Sequence, residues 1–394
     1  MAYTEATPLS HDTSPSRPPP PPPLPSRPPR SKASYVFRLV FFSLSGLFTM
    51  GTLSLLLVLG LPLGLVHAPT FRFFVRESIA TIGSLGAIVQ WLLVPDLEFV
   101  VSGDSDLGGK QLLFCNHGTF LDWWFLGLVI WHQGKGSGVK IMLMDVLKYI
   151  PFTGWIMWFD GFVFLKQKWA LDEPILKKSL PPLANRPAEP LSLLMYPEGT
   201  LVYGSNIDRS KAFIEKEKER VLESGEYIPR VPTNVILPRA KGLRATIQLL
   251  NAPGSISPVK SLYDVTMGYW PSSRGFETGV YPFDSVSPFT VFGTGGDALT
   301  RVCIDFRRME GSKNGVDALN KATDDEFYVW LNKRWELKDD LLAYFHESGK
   351  FEGFAGSIDD ERVVVDSESV KTFKIVPRFV DFVRIIGRLL YYGA

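Results

Sequence analysis

The stretch QLLFCNHGTFLDWWFLGL, Gln111 to Leu128, halts an apolar run at Asn116 and His117 and places Asp122 five residues beyond the imidazole. An imidazole held by a carboxylate is a general base: the carboxylate selects the ring tautomer and stabilises the imidazolium formed when a hydroxyl proton is taken. Positions five apart on a regular helix point about 140° away from each other. His117 and Asp122 can therefore meet only if Gly118 and Thr119 make a turn and Asp122 starts the next helix, which Gly-Thr permits. The competing reading is a satisfied core histidine at a strand end.

A second stretch repeats the design. LSLLMYPEGTLVYGSN begins with an apolar strand, Leu191 to Tyr196, and then sets Pro197, Glu198, Gly199 and Thr200 at its carboxyl end. Open α/β sheets bind ligands at such ends. Gly199 allows close backbone approach, Thr200 can cap or donate, and Glu198 adds a charge that a strand end does not need. A plain β-turn is the alternative.

The elements that must position these residues follow from pattern. KQLLFC, led by a Gly-Gly pair, reads as a buried strand, and DWWFLGLVIW as an apolar helix. SKAFIEKEKERVLESG reads as a charged, solvated helix, FGTGGDALTRVCIDFRRM as a glycine turn entering a strand, and DEFYVWLNKRWELKDDLLAYF as a packing helix. At 394 residues with 45% hydrophobic content, the chain can bury a large core. A net charge of +1 gives no argument for nucleic-acid binding, and two cysteines cannot support a disulfide framework. Five scattered His and the distant Cys115 and Cys303 offer no metal-ligand spacing, so no metal is expected.

The mean hydropathy of +0.07 points to concentrated apolar segments. SPSRPPPPPPLPSRPPRSK reads as a polyproline-like solvated tether. From Leu39 to Phe71 there is no Asp, Glu, Lys or Arg, a run longer than the ~20 residues that cross a bilayer. Gly60, Pro62 and Gly64 break it near its centre. A second uncharged segment, Ser78 to Pro95, crosses the bilayer or lies at its interface, with Arg72 to Glu77 as the connecting loop. Arg17, Arg27, Arg30, Lys32 and Arg38 favour a cytosolic N-terminus. At the other end, Arg378, Asp381, Arg384 and Arg388 share one arc of an interfacial amphipathic helix.

Taken together, Asn116, His117 and Asp122 (NHxxxxD), Pro197 to Thr200 (PEGT), LKYIPFTGWIMWFDGFVFLKQKWALDE between them, and later LPRAKGL and LYDVTMGY resemble the glycerolipid acyltransferase family, which includes the 1-acylglycerol-3-phosphate acyltransferases. The likeness covers about residues 90 to 350 and is nearest to the branch acting on lysophosphatidic acid, lysophosphatidylinositol and lysocardiolipin. It implies an α/β fold with a glycerol-phosphate-acyltransferase-like mixed sheet flanked by helices, preceded by N-terminal membrane helices. It also implies acyl transfer from acyl-CoA to the free hydroxyl of a lysophospholipid, with no cofactor beyond that co-substrate. His117 would be the base and Asp122 its orienting carboxylate. Asn116, Glu198, Gly199, Thr200, Arg239, Lys241, Lys166 and Lys168 would bind substrate. Arg239 and Lys241 are expected at a strand end.

Departures from the family pattern concern charge. Gln167 stands where an arginine is usual, Met144 where a lysine is common, and Leu201 where many members have arginine. Phosphate recognition would then fall to Lys166, Lys168, Arg209, Lys211 and Arg239. The expected organisation is a Pro-rich tail at 1–33, a membrane-embedded segment at 34–95, a catalytic domain at 96–310 and a C-terminal helical region at 311–394. The expected location is the endoplasmic reticulum membrane with the catalytic domain facing the cytosol. Since acyl-CoA is cytosolic, the apolar segments must both span or both stay within one leaflet, and the helix-breaking residues favour the second. A lipid hydrolase would need a G-x-S-x-G elbow, which the sequence lacks. An inactive membrane scaffold of the same fold is the other alternative.

Overall fold

Strand β2 (Lys110–Cys115) is buried at all six positions, as expected of a strand covered on both faces. In the computed structural model, which describes residues 31–221, 227–271, 281–293, 299–358 and 361–383, its neighbours explain why. The other strands are β1 (Glu98–Gly103), β3 (Val139–Met144), β4 (Val163–Leu165), β5 (Leu191–Met195), β6 (Ser261–Trp270), β7 (Arg301–Arg308) and β10 (Lys371–Lys374), joined in the order β10-β1-β7-β6-β2-β5-β3-β4. A separate hairpin pairs β8 (Ala355–Ile358) with β9 (Glu361–Val364). Strands β6, β2, β5, β3 and β4 are mutually parallel, and β7 runs antiparallel to β6. The expected mixed α/β sheet is thus present, and five carboxyl ends share one edge.

Side-chain alternation along β2 splits the core in two. Leu113 and Cys115 join a cluster with Phe125 and Leu128 of α4 (Asp122–His132), while Leu112 and Phe114 join Leu243, Trp335 and Phe345 on the other face. The second layer is held by the long helix Asp324–Ser348, which begins at a capping box between Thr323 and Glu326.

At the N-terminus, α1 (Lys32–Leu59) starts from Ser31, whose hydroxyl accepts from the Ser34 N–H at 3.2 Å. It ends at Gly60, followed by the short α2 (Leu61–Val66) and by α3 (Ala68–Leu93). The chain turns where Gly60, Pro62 and Gly64 predict. Arg72 to Glu77, expected as a connecting loop, instead lie inside α3. Arg72 and Arg76 pair there with Glu189 at 2.9 and 3.3 Å, so the helix runs through its charges without leaving them unpartnered. Downstream, α3 buries Ser84, Ala87, Val89 and Leu93 against the protein. Among the described residues, only α1 is long and apolar enough to cross a bilayer.

Two other expectations meet a different arrangement. Arg239 ends no strand; its N–H donates to Pro197 O at 2.8 Å and it leads into the helix Ala240–Leu250. The C-terminal region is not only helical, because β10 pairs antiparallel with β1 and extends the sheet. Most of the Pro-rich tail and the far half of the C-terminal amphipathic helix lie outside the described residues.

Candidate active site

Asn116 is the first residue past β2. Its side-chain amide donates to Met267 O at 3.1 Å and accepts from Met267 N–H at 2.8 Å, so it extends the β2–β6 ladder by one side chain and fixes how the backbone leaves the sheet. The turn then forms over Gly118 and Thr119, and Asp122 opens α4. The Asp122 carboxylate accepts from Thr119 N–H at 3.2 Å, a contact that closes the turn. It also meets His117 Nδ1 at 2.8 Å and accepts from the Tyr269 hydroxyl. Asp122 is wholly buried, while the His117 side chain is 21% exposed on the wall of a cavity. With Nδ1–H given to the carboxylate, Nε2 keeps its lone pair. The His117 ring stacks on Tyr196 with centroids 4.3 Å apart.

The second turn sits beside the first. Gly199 N–H donates to Tyr196 O at 2.9 Å, and Val202 N–H donates to His117 O at 3.0 Å, which ties the two motifs together. Gly199 has φ +71°, and a Cβ there would stand 3.1 Å from Arg239 Cζ. Only glycine satisfies both demands. Gln167 donates to Gly199 O at 2.7 Å, so the residue standing in the usual arginine position holds the turn itself. Thr200 reaches the cavity and accepts from Asn206 at 3.2 Å.

Glu198 points the other way. It is 2% exposed, off the cavity wall, and its Oε1 accepts from Trp335 Nε1–H at 3.2 Å while Oε2 has no partner among the described residues. Burial raises its pKa to about 8, against the opposing pull of the Trp335 hydrogen bond, the Lys338 charge and the His117 backbone N–H. Burial also pushes the Cys115 thiol up, so no thiolate competes with the imidazole.

Glu198 therefore links stability to pH with a definite sign. Between its ordinary value of 4.5 and about 8, the folded protein keeps a proton that the unfolded chain has lost, and stability falls as pH rises through that window. The thermal midpoint of the wild type should fall relative to Glu198→Gln across this range and run parallel to it above. Superimposable pH profiles would mean that Glu198 ionises as an ordinary carboxylate.

The cavity measures about 1670 Å³. Its walls are mostly apolar, from Leu47 and Met50 of α1 and Ile82 of α3 to Leu128 of α4, and it passes His117 to reach Arg239 and Lys241. Lys166 and Lys168 are exposed and flank Gln167 off the cavity wall. Arg209 and Lys211 stand on the helix Gly204–Val221, bound to Asn206 and Asp208. The fold thus assembles His117, Gly199, Thr200, Arg239 and Lys241 around one space, with Asp122 buried behind the imidazole, and leaves Asn116 and Glu198 off its wall.

Tyr269, Trp335 and Lys338 carry no local signal of a site role. Lys338 Nζ is buried on Asp264 at 2.5 Å, Val265 O at 2.6 Å and Thr266 at 3.1 Å, and lies 5.0 Å from the Trp335 ring. The alternation of LYDVTMGY does place Tyr269 on the face of Val265 and Met267, toward α4. Its partner on α4 could not be read that way.

The family model described as Acyltransferase matches residues 96–261. The chain is 27% identical over 288 residues to the probable 1-acyl-sn-glycerol-3-phosphate acyltransferase 5 of Arabidopsis thaliana, covering 72% of this chain and 67% of that one. It is 25% identical over 314 residues to lysocardiolipin acyltransferase 1 of Gallus gallus, covering 74% and 68%. It is 26% identical over 279 residues to the 2-acyl-1-lysophosphatidylinositol acyltransferase of Saccharomyces cerevisiae, covering 63% and 64%. The matched span runs from β1 into β6 and holds both motif turns, so residues 96–261 form an acyltransferase domain, similar to enzymes named for 1-acylglycerol-3-phosphate, lysocardiolipin and lysophosphatidylinositol.

Proposed function

We propose that this acyltransferase takes its acyl group from acyl-CoA and esterifies the free hydroxyl of a lysophospholipid. The observation that carries the reading is the placement of His117 on one continuous cavity, apolar toward α1 and α3 and cationic at Arg239 and Lys241. That space suits an acyl chain at one end and an anionic headgroup at the other.

In this mechanism His117 Nε2 takes the proton of the acceptor hydroxyl while Asp122 steadies the imidazolium. The acceptor oxygen attacks the thioester carbonyl, and backbone N–H groups at the two turns stabilise the oxyanion. Collapse breaks the carbon–sulfur bond, and the imidazolium returns its proton to the departing thiolate. No acyl-enzyme, metal or further cofactor enters. Thr200, Arg239 and Lys241 hold the headgroup, and Lys166 and Lys168 add charge at the rim. Asn116 and Glu198 act by positioning, from behind the base and the second turn.

Membrane association follows from surface chemistry. Phe37 and Phe48 on α1, Leu65 on α2, and Trp155 and Trp158 on α5 (Thr153–Phe159) are exposed, and Phe120 and Trp123 continue that surface to the cavity. Ser54 donates to Phe152 O at 2.8 Å and Arg72 pairs with Glu189, ties that bind both long helices to the catalytic domain. We read α1 to α3 as embedded in one leaflet of the endoplasmic reticulum membrane, with His117 on the cytosolic side. In sealed microsomes, a cysteine placed at Arg72 should be labelled from the cytosolic side; labelling only from the lumen would overturn this topology.

The activity is tested with full-length protein in detergent against a panel of lysophospholipids and acyl-CoAs. Transfer with at least one pair is expected, and none with any pair would end the proposal. Arg239→Ala should raise the KM for the lysophospholipid roughly tenfold or more, the worth of a charge-assisted hydrogen bond. A rise in the KM for acyl-CoA alone would place the headgroup elsewhere.

A further inference from the structure

The end of the apolar cavity remote from His117 is held by an unusual support. The cavity reaches Trp131, Gly136 and Val139, at the amino end of β3 and so at the sheet edge opposite the base. The six residues of β3 span about 20 Å, enough for a long acyl chain. Trp131 is wedged there between two glycines: a Cβ at Gly83 of α3 would lie 2.7 Å from its Cδ1, and one at Gly136 would lie 3.2 Å away. The indole has no room to shift toward either.

Its polar edge is tied to the C-terminal segment. Trp131 Nε1–H donates to Ser84 Oγ at 3.2 Å, and Ser84 donates in turn to Asp381 Oδ1 at 3.2 Å. Asp381 is wholly buried, and its other oxygen accepts from Arg378 N–H at 2.8 Å and Nε–H at 3.4 Å. The Arg378 guanidinium lies 5.3 Å from the Trp131 ring centroid, and the neighbouring His132 stacks on Phe373 of β10 at 4.5 Å. A buried carboxylate bound this way is costly to place and specific in what it holds.

We infer that the segment from Val376 to Val383 is a strap that sets the length of the acyl chain this protein accepts, with Asp381 as a positioning residue acting through Ser84 on the end wall Trp131. This rests on the acyltransferase reading above. Nothing in the strap touches the reacting atoms. Its effect is confined to how far the cavity extends past Val139.

The test uses the full-length chain. Trp131→Ala removes the wall, Ser84→Ala cuts the relay and leaves the strap's own bonds, and Asp381→Asn keeps an acceptor for Ser84. Trp131→Ala and Ser84→Ala should raise turnover with longer acyl-CoAs relative to the preferred one, by about fourfold per newly accommodated methylene. The lysophospholipid KM should stay unchanged in Ser84→Ala, and Asp381→Asn should keep the wild-type chain preference. A shift in Trp131→Ala with none in Ser84→Ala would overturn the strap's role. An equal fall for all chain lengths, or no shift in either variant, would overturn it as well. Displacement of bound cis-parinaric acid by fatty acids of graded length reads the same wall without any transfer. If the wild type binds by length but transfers nothing, the acyltransfer proposal fails and this one stands.

Discussion

His117→Ala should lower turnover by roughly 10²- to 10⁴-fold, the usual contribution of a positioned general base, while the thermal midpoint stays close to wild type. The two halves rest on different observations. The imidazole lines the cavity and contributes little to the core, whereas its Nδ1 is the one ring nitrogen engaged by Asp122, at 2.8 Å. Asp122→Asn should cost a similar factor by another route. A carboxamide N–H facing Nδ1 forces the proton to Nε2, and the ring that remains cannot accept one from a hydroxyl. Buried Asp122 also receives the Thr119 N–H and the Tyr269 hydroxyl, so its substitution should lower the midpoint as well. The contrast between the two variants, one silent in stability and one not, separates base from orienting group. Wild-type turnover by correctly folded His117→Ala would end the mechanism.

The largest effect on stability should come from Lys338→Met. Lys338 and Asp264 have side chains only 1% and 4% exposed, with 2.5 Å between Nζ and Oδ1. Removing the ammonium leaves a carboxylate buried without its counter-charge, a loss of about 3–5 kcal/mol. Replacing both partners, as Asp264→Leu with Lys338→Met, should recover most of that loss, because an apolar pair carries no stranded charge. Denaturant midpoints of the two singles and the double give the comparison. A double variant no more stable than Lys338→Met would mean that the bonds to Val265 O and Thr266, and not the ion pair, carry the stability. Activity should fall in Lys338→Met too, since Trp335 lies against Lys338 and hydrogen-bonds Glu198 behind the second turn.

Much of the site was written locally. A turn at Gly118 and Thr119, a helix starting at Asp122 and a strand ending near Tyr196 each follow from a few neighbouring residues: glycine for the turn, a carboxylate that can meet the first free N–H groups of a helix, an apolar run before a proline. The His117 to Asp122 contact needed no more than that, because both partners lie within six residues. The break at Gly60, Pro62 and Gly64 was legible for the same reason.

The direction and partner of each side chain across the sheet were set by long-range packing instead. The sequence places Glu198 and Arg239 alike near strand ends, yet Arg239 folds over Gly199 toward the cavity while Glu198 turns inward to Trp335, a residue 137 positions away. No local pattern carries that distance. The choice depends on which side of the turn the helix Asp324–Ser348 packs, and hence on the burial of Lys338 against Asp264. Likewise Arg72 and Arg76 read as the end of an apolar segment until Glu189 supplies the charge that lets α3 run through them. Short-range geometry specified the base and its turn; long-range burial and charge pairing decided which of the remaining polar residues face the cavity and which hold it up.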